Sequence, residues 1–197
     1  MHQGGMHSIM SILRYETQEG KQEEFQIESN ATTVRLIDMR ISRIDLSPLE
    51  SHQDLQELNL SMNKLETIDL SPLKSCTSIE KLNLQNNSFK TVDLSHFSGF
   101  TSFKYLDLTG NKIEVFDITP LVSCPKLEFF ALDPFTRFRG PIDPRIMHVM
   151  RASSPVDKES VAFAKTLMSS VQASIRQIER SSVRQMREKE EEEKRKK

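Results

Sequence analysis

Apolar residues recur along this chain with a period of 24 residues. Three complete copies, 44–67, 68–91 and 92–115, follow one another without insertion, a fourth begins at Phe116, and a half-copy covers 34–43. Each copy has seven apolar positions. One copy is too small to bury them, whereas stacked copies form a continuous core. The pattern therefore predicts a solenoid.

Within each copy, apolar and polar residues alternate over a short stretch, as in a strand with one buried face. The pattern L-x-x-L-x-L-x-x-N-x-L occurs at Leu55–Leu65, Ile79–Phe89 and Phe103–Ile113. It resembles the signature of leucine-rich repeat proteins, and the added I-D-L-S-P-L stretch resembles archaeal, Asgard-type members of that family. The resemblance implies an α/β fold, a solenoid or horseshoe. Its parallel strands would lie on the concave face and its short helical or 3-10 turns on the convex face.

The outward positions of the expected strands vary between copies because packing does not constrain them. Strand alternation places Leu58 and Leu60 inside and Glu57, Asn59 and Ser61 on the concave face. The resemblance implies an intracellular module that binds a protein partner through this face and catalyses no reaction. The candidate partner-binding residues are Arg35, Glu57, Asn59, Lys81, Asn83, Tyr105, Asp107 and Phe129.

Tyr105 and Phe129 form the strongest candidate anchor on this face. They are expected on neighbouring strands, with Lys81 and Asp107 beside them. Aromatic side chains with charged neighbours are typical of the residues that dominate protein interfaces. The alternative is a structural role for Phe129, in which the C-terminal cap covers it.

Two polar columns accompany the apolar ones. The resemblance implies that Asn63, Asn87 and Asn111 form a structural ladder, in which each side-chain amide bonds neighbouring backbone. The second column consists of aspartates, which would repel one another unless backbone N–H groups or a cation held them. Turn capping is the favoured interpretation, and a cation site is the alternative. The aspartates are Asp45, Asp69, Asp93 and Asp117.

Ser-Pro and cysteine positions complete the repeat. Ser47-Pro48 and Ser71-Pro72 predict a short helix that begins at the proline and is capped by the serine hydroxyl. Cys76 and Cys124 lie two copies apart. At about 4.8 Å per stacked strand, two turns separate the cysteines by about 10 Å, which is too long for a disulfide. We interpret both as small core residues.

Four regions are predicted from these patterns. They are an N-terminal flank or cap at 1–30, a leucine-rich repeat domain at 31–138, a linker or C-terminal cap at 139–156, and an amphipathic, charged helix at 157–197. For the N-terminal cap we expect a short helix and an edge strand from the apolar stretches at 10–13 and 25–27. For the C-terminal end we expect the aromatic residues between 129 and 138 to close the core.

Apolar residues at the spacing of a coiled-coil seam run from Val161 to Ile178, over fewer than three heptads. Self-association or binding of a partner helix through Val161–Ile178 is one interpretation. Docking on the solenoid, contact with an anionic membrane surface and a single solvated helix are the others. An assembly or adaptor role for this helix, or a role as the regulatory subunit of an enzyme, is the alternative function.

Composition and charge narrow the function further. Lys and Arg number 27 and Asp and Glu 28, for a net charge of −1, which argues against a nucleic-acid partner. The chain has no apolar run of membrane-spanning length, no secretory signal and only two cysteines, so we expect a cytoplasmic location. No catalytic or phosphate-binding motif occurs, and the five histidines form no metal-ligand pattern. We therefore expect no enzyme activity, cofactor or metal.

Overall fold

The computed structural model describes residues 10–141 and 143–152, all within the first of two units into which the chain divides, Met1–Ser154. The predicted helix at 157–197 and the seam Val161–Ile178 lie outside the described residues. No helix among the described residues is long and apolar enough to cross a membrane.

Short strands from successive copies form a parallel sheet of six strands in the order β11-β9-β7-β6-β5-β3. From β3 to β9 each residue pairs with the residue 24 positions later, so Leu58 pairs with Leu82 and Leu82 with Leu106. The predicted parallel-strand solenoid is thereby confirmed. The strands are β3 (Thr33–Arg35), β5 (Glu57–Asn59), β6 (Lys81–Asn83), β7 (Tyr105–Asp107), β9 (Phe129–Leu132) and β11 (Met150–Ala152).

The opposite side of the solenoid carries short helical turns. Three are 3-10 helices, Ser47–Ser51, Ser71–Ser75 and Ser95–Phe97, and the fourth is α1 (Thr119–Val122). Each begins where the carboxylate of the Asp column accepts the backbone N–H two residues later, at 2.8–2.9 Å. The capping interpretation of the aspartates is thereby confirmed. The capping role predicted for the serine hydroxyl is wrong, because Ser47 and Ser71 are the first residues of their turns and the N-cap positions are Leu46 and Leu70.

The N-terminal cap is a hairpin. Strands β1 (Met10–Thr17) and β2 (Gln22–Glu28) pair antiparallel, and β1 also pairs antiparallel with β4 (Ile41–Asp45). The expected edge strand is confirmed as β2, whereas the expected helix at 10–13 is wrong. Leu13, Tyr15 and Ile27 are buried and join the core of the solenoid.

The C-terminal end contains one further turn. Strand β8 (Val115–Asp117) pairs in parallel with β10 (Arg137–Arg139), and α2 (Pro144–Val149) leads into β11, which pairs in parallel with β9. Residues 139–152, predicted as a linker or cap, thus extend the main sheet by one strand. Pro144 lies 24 residues after Pro120, which is the sequence signal for this turn.

A single apolar core runs through the solenoid. Its largest fully buried side chains are phenylalanines in the later copies, with Phe97 and Phe103 in edge-to-face contact at 5.1 Å between ring centroids. Phe116 and Phe130 continue this aromatic packing at 5.6 Å. Cys76 and Cys124 are free and buried in the core.

Candidate interaction surface

The side chains that point outward from strands β3, β5, β6, β7 and β9 form one surface, which we call the strand face. The pairing register aligns Glu57, Lys81, Tyr105 and Phe129 on consecutive strands. Neighbouring strands lie about 4.8 Å apart, so these four side chains are in contact range in sequence order. The structure therefore brings together the residues that the sequence placed on this surface.

Three charged residues form a network at one end of the row. Arg35 donates two hydrogen bonds to the Glu57 carboxylate, at 3.1 and 2.7 Å, and the Lys81 ammonium lies 3.9 Å from the same carboxylate. The side chains of Arg35 and Lys81 are 58% and 38% exposed, whereas that of Glu57 is only 15% exposed. The Arg35 guanidinium holds the pKa of the Glu57 carboxyl below its usual value, so Glu57 is ionised at neutral pH.

An aromatic stack forms the other end of the row. The rings of Tyr105 and Phe129 are nearly parallel, at 7°, with centroids 4.4 Å apart. The Lys81 ammonium lies 4.8 Å from the centroid of the Tyr105 ring, within range of a cation–π interaction. The Tyr105 hydroxyl donates to Asp107 at 3.2 Å. Burial, followed by the nearby Asp107 carboxylate, raises the pKa of Tyr105 to about 12, so this hydroxyl is protonated.

The next outward position of each strand has a structural task that sequence reasoning missed. The side-chain oxygens of Asn59, Asn83 and Asp107 each accept the backbone N–H two residues later, at 3.0–3.1 Å. Asp107 also accepts the Thr109 hydroxyl at 2.7 Å. Asn59 and Asp107 are buried. These three candidates therefore stabilise the backbone at the end of each strand. Their side chains have less polar surface left for a partner than Glu57, Lys81 and Tyr105 have.

The asparagine ladder runs beside the strand face. The Asn87 amide nitrogen donates to the carbonyls of Leu60 and Leu84, at 2.9 and 3.1 Å, and its oxygen accepts the Leu65 N–H at 3.1 Å. Asn63 and Asn111 make equivalent bonds in the adjacent copies. In the next copy Asp133 accepts two backbone N–H groups, each at 3.0 Å. The asparagine column itself ends at Asn111, because the 24-residue count assigns its next position to Phe135, and Asp133 supplies two acceptor bonds there instead.

Four residues at the downstream margin of the strand face adopt left-handed backbone conformations. Asp38, Met62, Asn86 and Gly110 have φ angles of 55°, 61°, 53° and 70°. Residues other than Gly, Asn and Asp rarely adopt this left-handed backbone conformation. Met62 is also exposed to solvent. The repeat therefore holds this backbone turn even where the residue type does not favour it.

The described residues contain no cluster of three potential metal ligands. Burial raises the pKa of Cys76 to about 11 and also raises that of Cys124, so both thiols are protonated. They donate to the carbonyls of Leu49 and Phe97, each at 3.3 Å, as core residues. His52 occupies the same column, fully inside, and its Nδ1 lies 3.2 Å from the Pro48 carbonyl. None of the aspartates of the Asp column belongs to such a cluster in the part of the chain that the structure describes.

Comparisons with known proteins agree with this architecture. One family model described as "Leucine rich repeat" matches residues 77–133, and a second, described as "Leucine Rich Repeat", matches residues 54–76. The sequence matches no curated protein.

Among solved structures, the chain is similar to the LRR ectodomain of the receptor kinase SOBIR1 from Arabidopsis thaliana, with a TM-score of 0.51 and 22% identity. That match covers 75% of this chain and 79% of the ectodomain. The functional domain of InlJ from Listeria monocytogenes matches at 16% identity and a TM-score of 0.37, over 59% of this chain and 34% of that one. An internalin, InlF, from the same organism matches at 16% identity and a TM-score of 0.32, over 59% and 53%. At these identities the likeness to SOBIR1 establishes the fold alone.

Proposed function

Because this chain is a leucine-rich repeat protein, we propose that its strand face binds a protein partner and that the chain itself catalyses no reaction. Leucine-rich repeat domains generally mediate protein–protein interaction. One observation supports the proposal most directly, the row of Glu57, Lys81, Tyr105 and Phe129 on neighbouring strands, with Arg35 bonded to Glu57 from the next outward position. The four side chains of the row lie in register, and the row combines aromatic area with charge, which is the composition of energetically dominant interface residues.

The test compares two aromatic truncations in the full chain. Tyr105→Ala removes the centre of the proposed interface, so capture of partners from a lysate of the native cell should fall at least fivefold. Phe135→Ala is the matched control, because Phe135 is 94% exposed and lies outside the strand face. Captured proteins are quantified by mass spectrometry against the wild-type chain.

Tyr105→Ala also loses its stacking partner Phe129, a contact of about 0.5–1.5 kcal/mol. Urea unfolding of each variant therefore accompanies the capture, and both are compared under conditions in which each is folded. Lys81→Ala, which leaves the aromatic stack in place, provides a second variant with the same expected loss. If capture is lost in Phe135→Ala and retained in Tyr105→Ala and Lys81→Ala, the strand face is not the binding surface.

A role in assembly through residues Val161–Ile178 is the second candidate function, favoured by the coiled-coil spacing of the apolar residues in that segment. Light scattering of the full chain decides it. A mass twice the 22.7 kDa of one chain supports self-association, and a monomeric mass excludes it.

A further inference from the structure

The accessible charge of the strand face is positive. Among the outward positions of β3, β5, β6, β7 and β9, the charged residues are Arg35, Glu57, Lys81 and Asp107. Both carboxylates are covered. The side chain of Glu57 is 15% exposed beneath its two cations, and Asp107 is buried with its oxygens bonded to Thr109 and Tyr105. An approaching molecule therefore meets the guanidinium and the ammonium first.

The two cations keep capacity for a further anion. Arg35 uses its Nε and one terminal nitrogen on Glu57, which leaves the N–H groups of the other terminal nitrogen. Lys81 lies 3.9 Å from Glu57, beyond an ordinary hydrogen-bond distance, so its three N–H donors are not consumed there. Arg35, Lys81 and Glu57 together carry a net charge of +1, so they attract an anionic group such as a carboxylate and repel a cation.

Apolar contact is available within two strands of this charge. Lys81, Tyr105 and Phe129 stand on β6, β7 and β9, so Lys81 and Phe129 are about 10 Å apart across two strand spacings. An extended peptide advances about 3.3 Å per residue and covers that distance in about three residues. The residues that directly precede these strands include Glu80, Lys104 and Glu128. Glu80 pairs with Lys104 at 2.8 Å, so this margin adds one negative charge, at Glu128 beside Phe129 and at the opposite end from Arg35.

The stacking geometry also distinguishes a peptide from a nucleic acid, the other class of anionic partner. Single-stranded nucleic acids bind such surfaces by stacking bases on exposed aromatic faces. One face of Tyr105 is covered by Phe129 and the other lies under the Lys81 ammonium, because β6 and β9 flank β7. Tyr105 therefore presents its ring edge, which suits contact with aliphatic or aromatic side chains.

We propose that the strand face recognises an extended segment that carries an acidic side chain and, within about three residues, a large apolar side chain. The carboxylate would bind Arg35 and Lys81, and the apolar group would contact Tyr105 and Phe129. This inference rests on the proposed function, since it names the chemistry of the partner at the same surface.

A display library of random twelve-residue peptides, panned on the immobilised full chain, tests the inference. Parallel panning uses Tyr105→Ala and the double variant Arg35→Gln/Lys81→Gln. The matched control is Arg14→Gln/Lys90→Gln, which removes equal charge outside the strand face. We expect enriched peptides that combine Asp or Glu with Leu, Ile, Phe, Tyr or Trp in the stated spacing.

Affinities of the enriched peptide are then measured by fluorescence polarisation. Its acid-to-amide variant, and the Arg35→Gln/Lys81→Gln chain, should each weaken binding about fivefold, with no change in Arg14→Gln/Lys90→Gln. Enrichment that depends on Tyr105 but carries no acid overturns this inference and leaves the proposed function standing. Enrichment that is the same on the wild type and on Tyr105→Ala overturns both. If an oligo(dT) probe binds more tightly than any peptide, and this binding is lost in Arg35→Gln/Lys81→Gln, the proposed peptide ligand is wrong and the partner is a nucleic acid.

Discussion

Asparagine occupies two columns of this solenoid and has a different task in each. Asn87 lies inside the turn and bonds three backbone groups of two successive copies, whereas Asn83 lies on the strand face and accepts one N–H of its own turn. The sequence resemblance implied the first task. It could not separate Asn83 from a solvated binding residue, because the second task depends on the direction of the backbone two residues later.

These two tasks predict different energetic penalties. Asn87→Ala leaves the buried Leu65 N–H without its acceptor and removes one of the two side-chain hydrogen bonds to each of the Leu60 and Leu84 carbonyls, so it should lower the free energy of unfolding by about 3 kcal/mol. Asn83→Ala, the matched control, removes one hydrogen bond at a half-buried site and should lower it by about 1 kcal/mol. Urea unfolding followed by circular dichroism measures both. Equal losses would contradict the distinction between the columns.

Aspartate, rather than serine, defines where each helical turn begins. The Asp69 carboxylate accepts the Ser71 N–H at 2.9 Å, and Asp45, Asp93 and Asp117 do the same in their copies. The column was predicted from its spacing alone. The sequence predicted these aspartate caps and also a cap by the serine hydroxyl, which is wrong because Ser71 is the first residue of its turn and Leu70 occupies the N-cap position.

The aspartate caps predict an acid-sensitive contribution to stability. Hydrogen bonds from the Ser71 hydroxyl and N–H lower the pKa of Asp69, so the ionised form stabilises the fold above its usual pKa of 3.8. That stabilisation is lost as the pH falls through the lowered pKa of the folded protein. In urea unfolding, Asp69→Asn should be less stable than the wild type at pH 7, and the difference should shrink at pH 3.

A matched control separates this cap from net charge. Glu66→Gln removes one negative charge from an exposed position three residues earlier. The free energy of unfolding of Glu66→Gln should differ little from that of the wild type at pH 7. A gap between Asp69→Asn and the wild type that stays constant from pH 7 to pH 3 would show that the carboxylate charge has no part in the cap.

The two end elements depend on partners far along the chain. Residues 10–17 form a strand because β4 leaves an edge to which β1 pairs, with Tyr15 opposite Ile44. Residues 150–152 form a strand because β9 leaves the other edge, with Met150 opposite Phe130. Neither stretch belongs to the 24-residue pattern. The sequence therefore carries no periodic signal for residues 10–17, and the only one for the last turn is the 24-residue spacing of Pro144 from Pro120.

At the scale of the whole molecule, stability is shared between neighbouring turns, since each repeat contacts only those beside it. The last described turn, with α2 and β11, therefore contributes to the fold through its contact with β9. Ile146 on α2 is buried in the common core, and Met150 and Val149 pack against it.

Truncation tests this contribution. A chain that ends at Arg139 lacks α2 and β11 and should unfold with a free energy about 2–3 kcal/mol below that of a chain that ends at Ser154, because the burial of Ile146 is lost. Urea denaturation of the two purified chains provides the comparison. Indistinguishable free energies would mean that residues 140–152 are an appendage and not a turn of the solenoid.

The 24-residue repeat alone predicts the period, the parallel stacking and the residues of the first outward row, because neighbouring copies must stack in register to bury seven apolar columns at once. Tertiary structure decided what each outward residue does. Glu57 is covered by Arg35 and Lys81, Asp107 is buried by its own turn, and Tyr105 is stacked between Phe129 and Lys81. The contacts of Glu57 and Tyr105 with their neighbours join residues 22 to 24 positions apart, so they form only when neighbouring copies are held in register, whereas Asp107 is covered within its own turn.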